Sequence, residues 1–284
     1  MNSKLAFALL VTLVSPVPAF AGLVNDVPSC YDANHYRFAS RPYTKLAYIL
    51  VDQTVALDPG LQKEAIDNAT HLMGPGTKFV VAEFSAFSQQ HYLDVINTGI
   101  IESPMTQDEH DNVPVHSLAS FDVCMKGQAG FSLGMIRKDM AAIMSSASDT
   151  LAKSDIMMAL KSISETVAKD SAKQKVVFVV TDGLENSSVT SFYAHDGVRL
   201  IDPETEIGKA RANNMMGNFG GARVYIIGAG VMPPAKVGTQ AERDGYRDPK
   251  TIDRLHRFWK GYFDQSNAKL VEFGEPALVS PVAF

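Results

Sequence analysis

Leu46-Ala47-Tyr48-Ile49-Leu50-Val51 runs into Asp52-Gln53-Thr54, and Val176-Val177-Phe178-Val179-Val180 runs into Thr181-Asp182-Gly183. Neither stretch shows the alternation of a half-exposed strand. A run that is apolar at every position fits a strand buried on both faces of a parallel sheet, and such sheets bind ligands in the crevice outside the carboxyl ends of their strands. Each run delivers an aspartate and a hydroxyl residue to that crevice. Two carboxylates with several hydroxyls suit a hard divalent cation, which takes oxygen ligands and, when it is magnesium, keeps part of its water. The first expectation is therefore cation-dependent binding, ahead of catalysis.

The rest of the chain places helices between such strands. Asp58-Pro59 reads as cap and first position of a helix whose apolar face is Leu61, Ala65, Ala69 and Leu72, stopped by Gly74-Pro75-Gly76. Strands are expected over 45–51, 78–84, 91–101 (an edge strand or hairpin arm), 175–180, 223–227 and 269–273. Residues 102–120 read as loop, and their polar run 106–111 as solvated surface. Helices are expected over 121–147, from about Ser154 with Ile156, Leu160, Ile163 and Val167 inward, from Asp202-Pro203 to about Phe219, and from Pro249 to about Asn267 with Ile252, Leu255, Trp259 and Tyr262 inward. A short hairpin is expected across His195-Asp196-Gly197. Strands separated by helices imply right-handed crossovers and a doubly wound, mainly parallel α/β sheet with helices on both faces.

At the amino terminus, Lys4, the apolar run Leu5 to Val14 and the small-residue site Ala19-Phe20-Ala21 form a secretory signal peptide over 1–21, too short in its apolar core to span a bilayer. The expected product has an extension over 22–44 and one large domain over 45–284, in the periplasm or outside the cell. Its removal takes away one cation, changing the formal charge from −5 to −6. With no basic block, a nucleic-acid partner is not expected. The two cysteines, Cys30 and Cys124, both lie in the exported part and are expected to form one disulfide. Closing that loop contributes roughly 4–5 kcal/mol in a chain-entropy model.

With these motifs in view, the chain resembles the von Willebrand factor type A family over roughly Lys45 to Phe273. The family's Asp-x-Ser-x-Ser stands here as Asp52-Gln53-Thr54-Val55-Ala56, lacking the second hydroxyl. Its Thr-x-Ile-x-x-Ala-Leu helix opening is matched by Ser154-Asp155-Ile156-Met157-Met158-Ala159-Leu160, with Ser154 at the Thr position. Its Asp-Gly after a buried strand is Thr181-Asp182-Gly183, continued by Leu184-Glu185-Asn186-Ser187-Ser188, and Val224 to Gly230 resembles the fifth strand and its exit. The resemblance implies a metal-ion-dependent adhesion site built from Asp52, Thr54, Ser154 and Asp182 around magnesium, with manganese or calcium as alternatives. It also implies a protein partner supplying a carboxylate to the ion. Alanine at position 56 removes one ligand of that pattern. On the residues alone, Asp52 and Asp182 serve equally well as caps of the turns that follow them.

Other patterns point elsewhere. Gly130-Phe131-Ser132-Leu133-Gly134 matches a nucleophile elbow and would make Ser132 the nucleophile of a serine hydrolase, but no buried strand precedes it. Gly228-Ala229-Gly230 lacks the third glycine of a dinucleotide loop, because position 233 is Pro233. No His-Glu-x-x-His occurs. Met157, Met158, Met215 and Met216 pair on expected helices as core filling. The sequence therefore describes an exported protein-binding module, not an enzyme, with a metal-free structural subunit of an envelope assembly as the alternative outside catalysis.

Overall fold

The computed structural model describes residues 25–36, 43–85, 93–147, 154–194, 197–232 and 248–284. The expected signal peptide, His91 at the start of the third strand, the hairpin tip His195-Asp196, and Pro233 lie outside these residues. In chain order the elements are α1 (Cys30–Ala33), β1 (Lys45–Asp52), α2 (Pro59–His71), β2 (Thr77–Phe84), β3 (Leu93–Ile101), α3 (Gln107–Asp111), α4 (Val115–Ser146) and α5 (Ile156–Lys169). There follow β4 (Gln174–Val180), β5 (Tyr193–Ala194), β6 (Gly197–Val198), α6 (Pro203–Ala212), β7 (Ala222–Ile227), α7 (Pro249–Gln265) and β8 (Ala268–Phe273).

Six strands form one sheet in the order β3-β2-β1-β4-β7-β8. All neighbours are parallel except β2 and β3. Successive residues of β1 explain its unbroken apolar run. Leu46, Tyr48 and Leu50 enter a core shared with α5, α6 and α7, whereas Ala47, Ile49 and Val51 enter a second core with α2 and α4. Fully burying one such aliphatic chain contributes ~1.5–3 kcal/mol, so neither face of the strand tolerates a polar residue. Chain order reverses between β1 and β4, which places the crevice between Asp52 and Asp182.

Helix signals act as their chemistry requires. Asp58, Asp202 and Asp248 cap α2, α6 and α7, each ahead of a first-turn proline. On α7, Ile252, Leu255, Phe258, Trp259, Tyr262 and Phe263 are all buried against the sheet.

Three boundaries differ from expectation. Residues 102–120 are not one loop: Thr106 and Glu109 make a reciprocal capping box that starts α3, and Pro114 precedes α4, whose first inward residues are Leu118 and Phe121. Helix α6 stops at Ala212, well short of Phe219, because Asn214 takes a left-handed conformation (φ +56°). Met215 and Met216 consequently lie outside the helix, although both pack against the core.

Cys30 and Cys124 are disulfide-bonded, with Cα atoms 5.7 Å apart. Buried Glu102 reinforces this staple by accepting from Ser29 Oγ (2.6 Å), the Cys30 backbone N–H (2.7 Å) and Gln128 Nε2 (3.1 Å). The amino-terminal segment is thus held against β3 and α4 by one covalent and several polar ties.

Candidate functional site at the carboxyl edge of the sheet

Asp52 ends β1 with 2% of its surface exposed. Its Oδ1 accepts from the Thr54 backbone N–H (2.9 Å) and from Thr54 Oγ1 (2.6 Å). Its Oδ2 accepts from Ser154 Oγ (3.0 Å) and Thr181 Oγ1 (2.8 Å). Three of the four expected site residues therefore meet in direct hydrogen bonds, joined by Thr181. Ser154 reaches this point because it pairs with Asn186, whose N–H donates to the Ser154 carbonyl at 2.9 Å.

Asp182 follows β4 and is 4% exposed. Its Oδ1 accepts from the Leu184 N–H (2.8 Å) and its Oδ2 from the Tyr193 hydroxyl (2.8 Å). Gly183 holds the turn at φ +70°, where a side chain would be strained and its Cβ would stand 3.0 Å from Trp259 Nε1. That indole N–H donates to the Gly183 carbonyl (2.9 Å), so α7 clamps the loop. The Gly230 N–H donates to the Asp182 carbonyl (2.8 Å), fixing it from the β7 side.

The electrostatics follow from this burial. Desolvation raises the Asp52 carboxyl above its ordinary value against the hydrogen bonds from Thr54, Thr181 and Ser154. Burial, and then the charge of Asp52, push Asp182 up to about 8. Among the described residues, every hydrogen-bond donor to these carboxylates is a hydroxyl or a backbone N–H.

Both aspartates accept from a backbone N–H two residues on, so both make the turn contact expected of a cap. The donor set nevertheless fits a hard cation. Thr54 and Ser154 spend their protons on Asp52 and have lone pairs left to offer, while Asp182 has acceptor capacity beyond its two bonds. Among the described residues no three His, Cys, Asp or Glu side chains group for a metal, so hydroxyls must complete any ligand set.

Two neighbours were not singled out as functional from the sequence. Glu185 is buried and accepts from the Met157 N–H (2.9 Å), capping α5 from the adjoining loop; burial pushes its carboxyl up to about 8. Tyr193 arrives from β5, and burial, then the nearby Asp182 charge, raise its phenol well above the usual range. The Asp-Gly continuation through Glu185 was visible as a motif, but only tertiary pairing reveals the Tyr193 contact.

Ser132 lies inside α4, fully buried, with its Oγ donating to the Gln128 carbonyl at 2.9 Å. It stands on no strand-to-helix elbow. A cavity of about 180 Å³ lined by Lys45, His71, Gly74 and Phe284 sits at the opposite, amino-terminal end of β1 and belongs to a different part of the molecule.

No family model and no curated protein matches the chain. Among solved structures, an aerotolerance-related membrane protein from Bacteroides fragilis NCTC 9343 aligns over 81% of this chain and 92% of its own at 13% identity and a TM-score of 0.33. The PilB minor pilin from Streptococcus sanguinis aligns over 83% of this chain and 58% of its own at 13% identity and a TM-score of 0.36. The chain thus spans less than two thirds of that pilin. Neither likeness bears on function at these values. The α/β class rests on the strand order. The disulfide fits an exported chain, and no described helix is long and apolar enough to cross a membrane.

Proposed function

We propose that this chain is an exported protein-binding module of the von Willebrand factor type A kind, acting in adhesion or envelope-complex assembly through a divalent cation, with magnesium as first choice. The observation that carries the reading is the pair of buried carboxylates at the sheet's switch point, ringed by hydroxyls and with no cationic side chain among their hydrogen-bond donors in the described residues. Thr54 and Ser154 would offer hydroxyl oxygens to the ion. Asp182 would balance its charge, and Asp52 would orient the hydroxyls by accepting their protons. When bound, the ion would supply an electropositive position able to take a carboxylate from a protein partner. No covalent step is proposed.

A metal-free structural subunit is the second reading, favoured by one observation: each oxygen of both aspartates already has a protein donor. Calorimetry separates the two. Magnesium or manganese should release or absorb heat on binding to the wild type and not to Asp182→Ala; no heat in the wild type, or unchanged heat in the variant, removes the cation reading.

A further inference from the structure

The six hydrogen bonds on the two carboxylates are not equivalent. On Asp52, all donors except the Thr54 N–H are hydroxyls whose oxygens remain able to serve an ion while their protons stay where they are. On Asp182, the Leu184 N–H belongs to the aspartate's own turn and is fixed with it. The remaining bond, from the Tyr193 hydroxyl to Asp182 Oδ2 at 2.8 Å, comes from a different element and a half-buried side chain. Asp52, Asp182, Ser154 and Thr181 are each no more than 4% exposed. Tyr193 and Thr54 are only half-buried and form the solvent side of the cluster.

We propose that the Tyr193 phenol is an internal substitute for the cation: it holds Asp182 Oδ2 in the closed chain and must give up that oxygen when a divalent ion enters, so residue 193 sets the affinity of the crevice. This deepens the cation reading and rests on it. The backbone beneath the phenol has little cause to move. Neighbouring Phe192 is fully buried, meets Phe258 edge-on with centroids 4.8 Å apart, and donates its N–H to the Glu185 carbonyl at 2.8 Å. The proposed exchange is therefore a turn of the Tyr193 side chain, whose ring packs against the core, away from Asp182 Oδ2. A partner would meet the ion at the rim formed by Thr54 and residue 193.

The test is manganese calorimetry on the wild type and Tyr193→Phe, with thermal unfolding of both in chelator. Phenylalanine keeps the ring and removes the competing bond. Manganese should bind the variant about tenfold more tightly, and the variant should melt lower than the wild type in chelator. Manganese should also produce a tyrosine difference spectrum in the wild type that the variant lacks. Equal or weaker binding by Tyr193→Phe overturns the inference while leaving the cation site standing. Absence of manganese binding by both proteins overturns the inference together with the cation reading beneath it.

Discussion

Glu206 and Asp182 are both carboxylates buried in the same half of the molecule, 1% and 4% exposed, yet their environments treat charge in opposite ways. Glu206 accepts from Arg199 Nη2 (2.7 Å), Lys209 Nζ (3.0 Å) and Thr190 Oγ1 (2.7 Å). Burial raises its pKa, but these partners outweigh burial and hold the group below its ordinary range. Asp182 has a backbone N–H, a phenol and a second carboxylate nearby, and is pushed up to about 8. The fold can provide a buried carboxylate with cations, and does so within one loop and helix. At the carboxyl edge of the sheet it provides hydroxyls instead. The difference is one of partners: cationic side chains hold Glu206 ionised, whereas burial and a like charge raise Asp182.

The comparison breaks most visibly on the Glu206 side. Arg199→Met should destabilise the protein by about 3 kcal/mol in urea unfolding, because a buried charge loses its shortest ionic partner. An effect below 1 kcal/mol would show Lys209 and Thr190 to be sufficient. On the other side the sign reverses. Asp182→Asn in chelator at pH 8 should stabilise by about 2 kcal/mol, since it removes one of two like charges from a buried site. The same variant should lose cation binding, a combination that simple turn capping does not produce.

The smallest effect sharpens the comparison through pH. Asp182 and Glu185 are raised from 3.8 and 4.5 to about 8, so between those limits the folded chain binds protons that the unfolded chain releases. Their contribution to stability is therefore greatest at the acid end and is lost as pH rises from about 4 to about 8. Glu206, with a lowered pKa, contributes above its ordinary 4.5 and loses that contribution as pH falls through its folded value. Melting curves in chelator should decline from pH 5 to pH 8. Glu185→Gln, which retains an acceptor for Met157, should make that decline shallower. A flat wild-type profile would contradict the electrostatic description.

The sequence carried these features unevenly. The buried runs of β1 and β4 were legible because strands covered on both faces need apolar residues at every position, and the aspartates at their ends placed two corners of the site. Ser154 was legible through the family resemblance, as the residue at the Thr position of the motif that opens the helix. The contact of Tyr193 with Asp182 was not, because it depends on the pairing of Asn186 with Ser154 and Ser191, which folds the polar loop back over the crevice. Nor was the start of α4. Pro104, Asn112 and Pro114 are loop residues by composition, and the long helix begins with Val115 exposed, so no apolar period announces it. At the end of α6, the left-handed Asn214 overrode the apolar residues beyond it.

The central claim, that Asp52, Thr54, Ser154 and Asp182 form a cation site, is met most directly by crystals grown with manganese and measured for anomalous scattering. The account predicts one strong peak within ligand reach of Asp182 and the hydroxyls of Thr54 and Ser154, with the Tyr193 phenol turned away from Asp182. A crevice with no anomalous peak, and Tyr193 still bonded to Asp182 at saturating manganese, would contradict it.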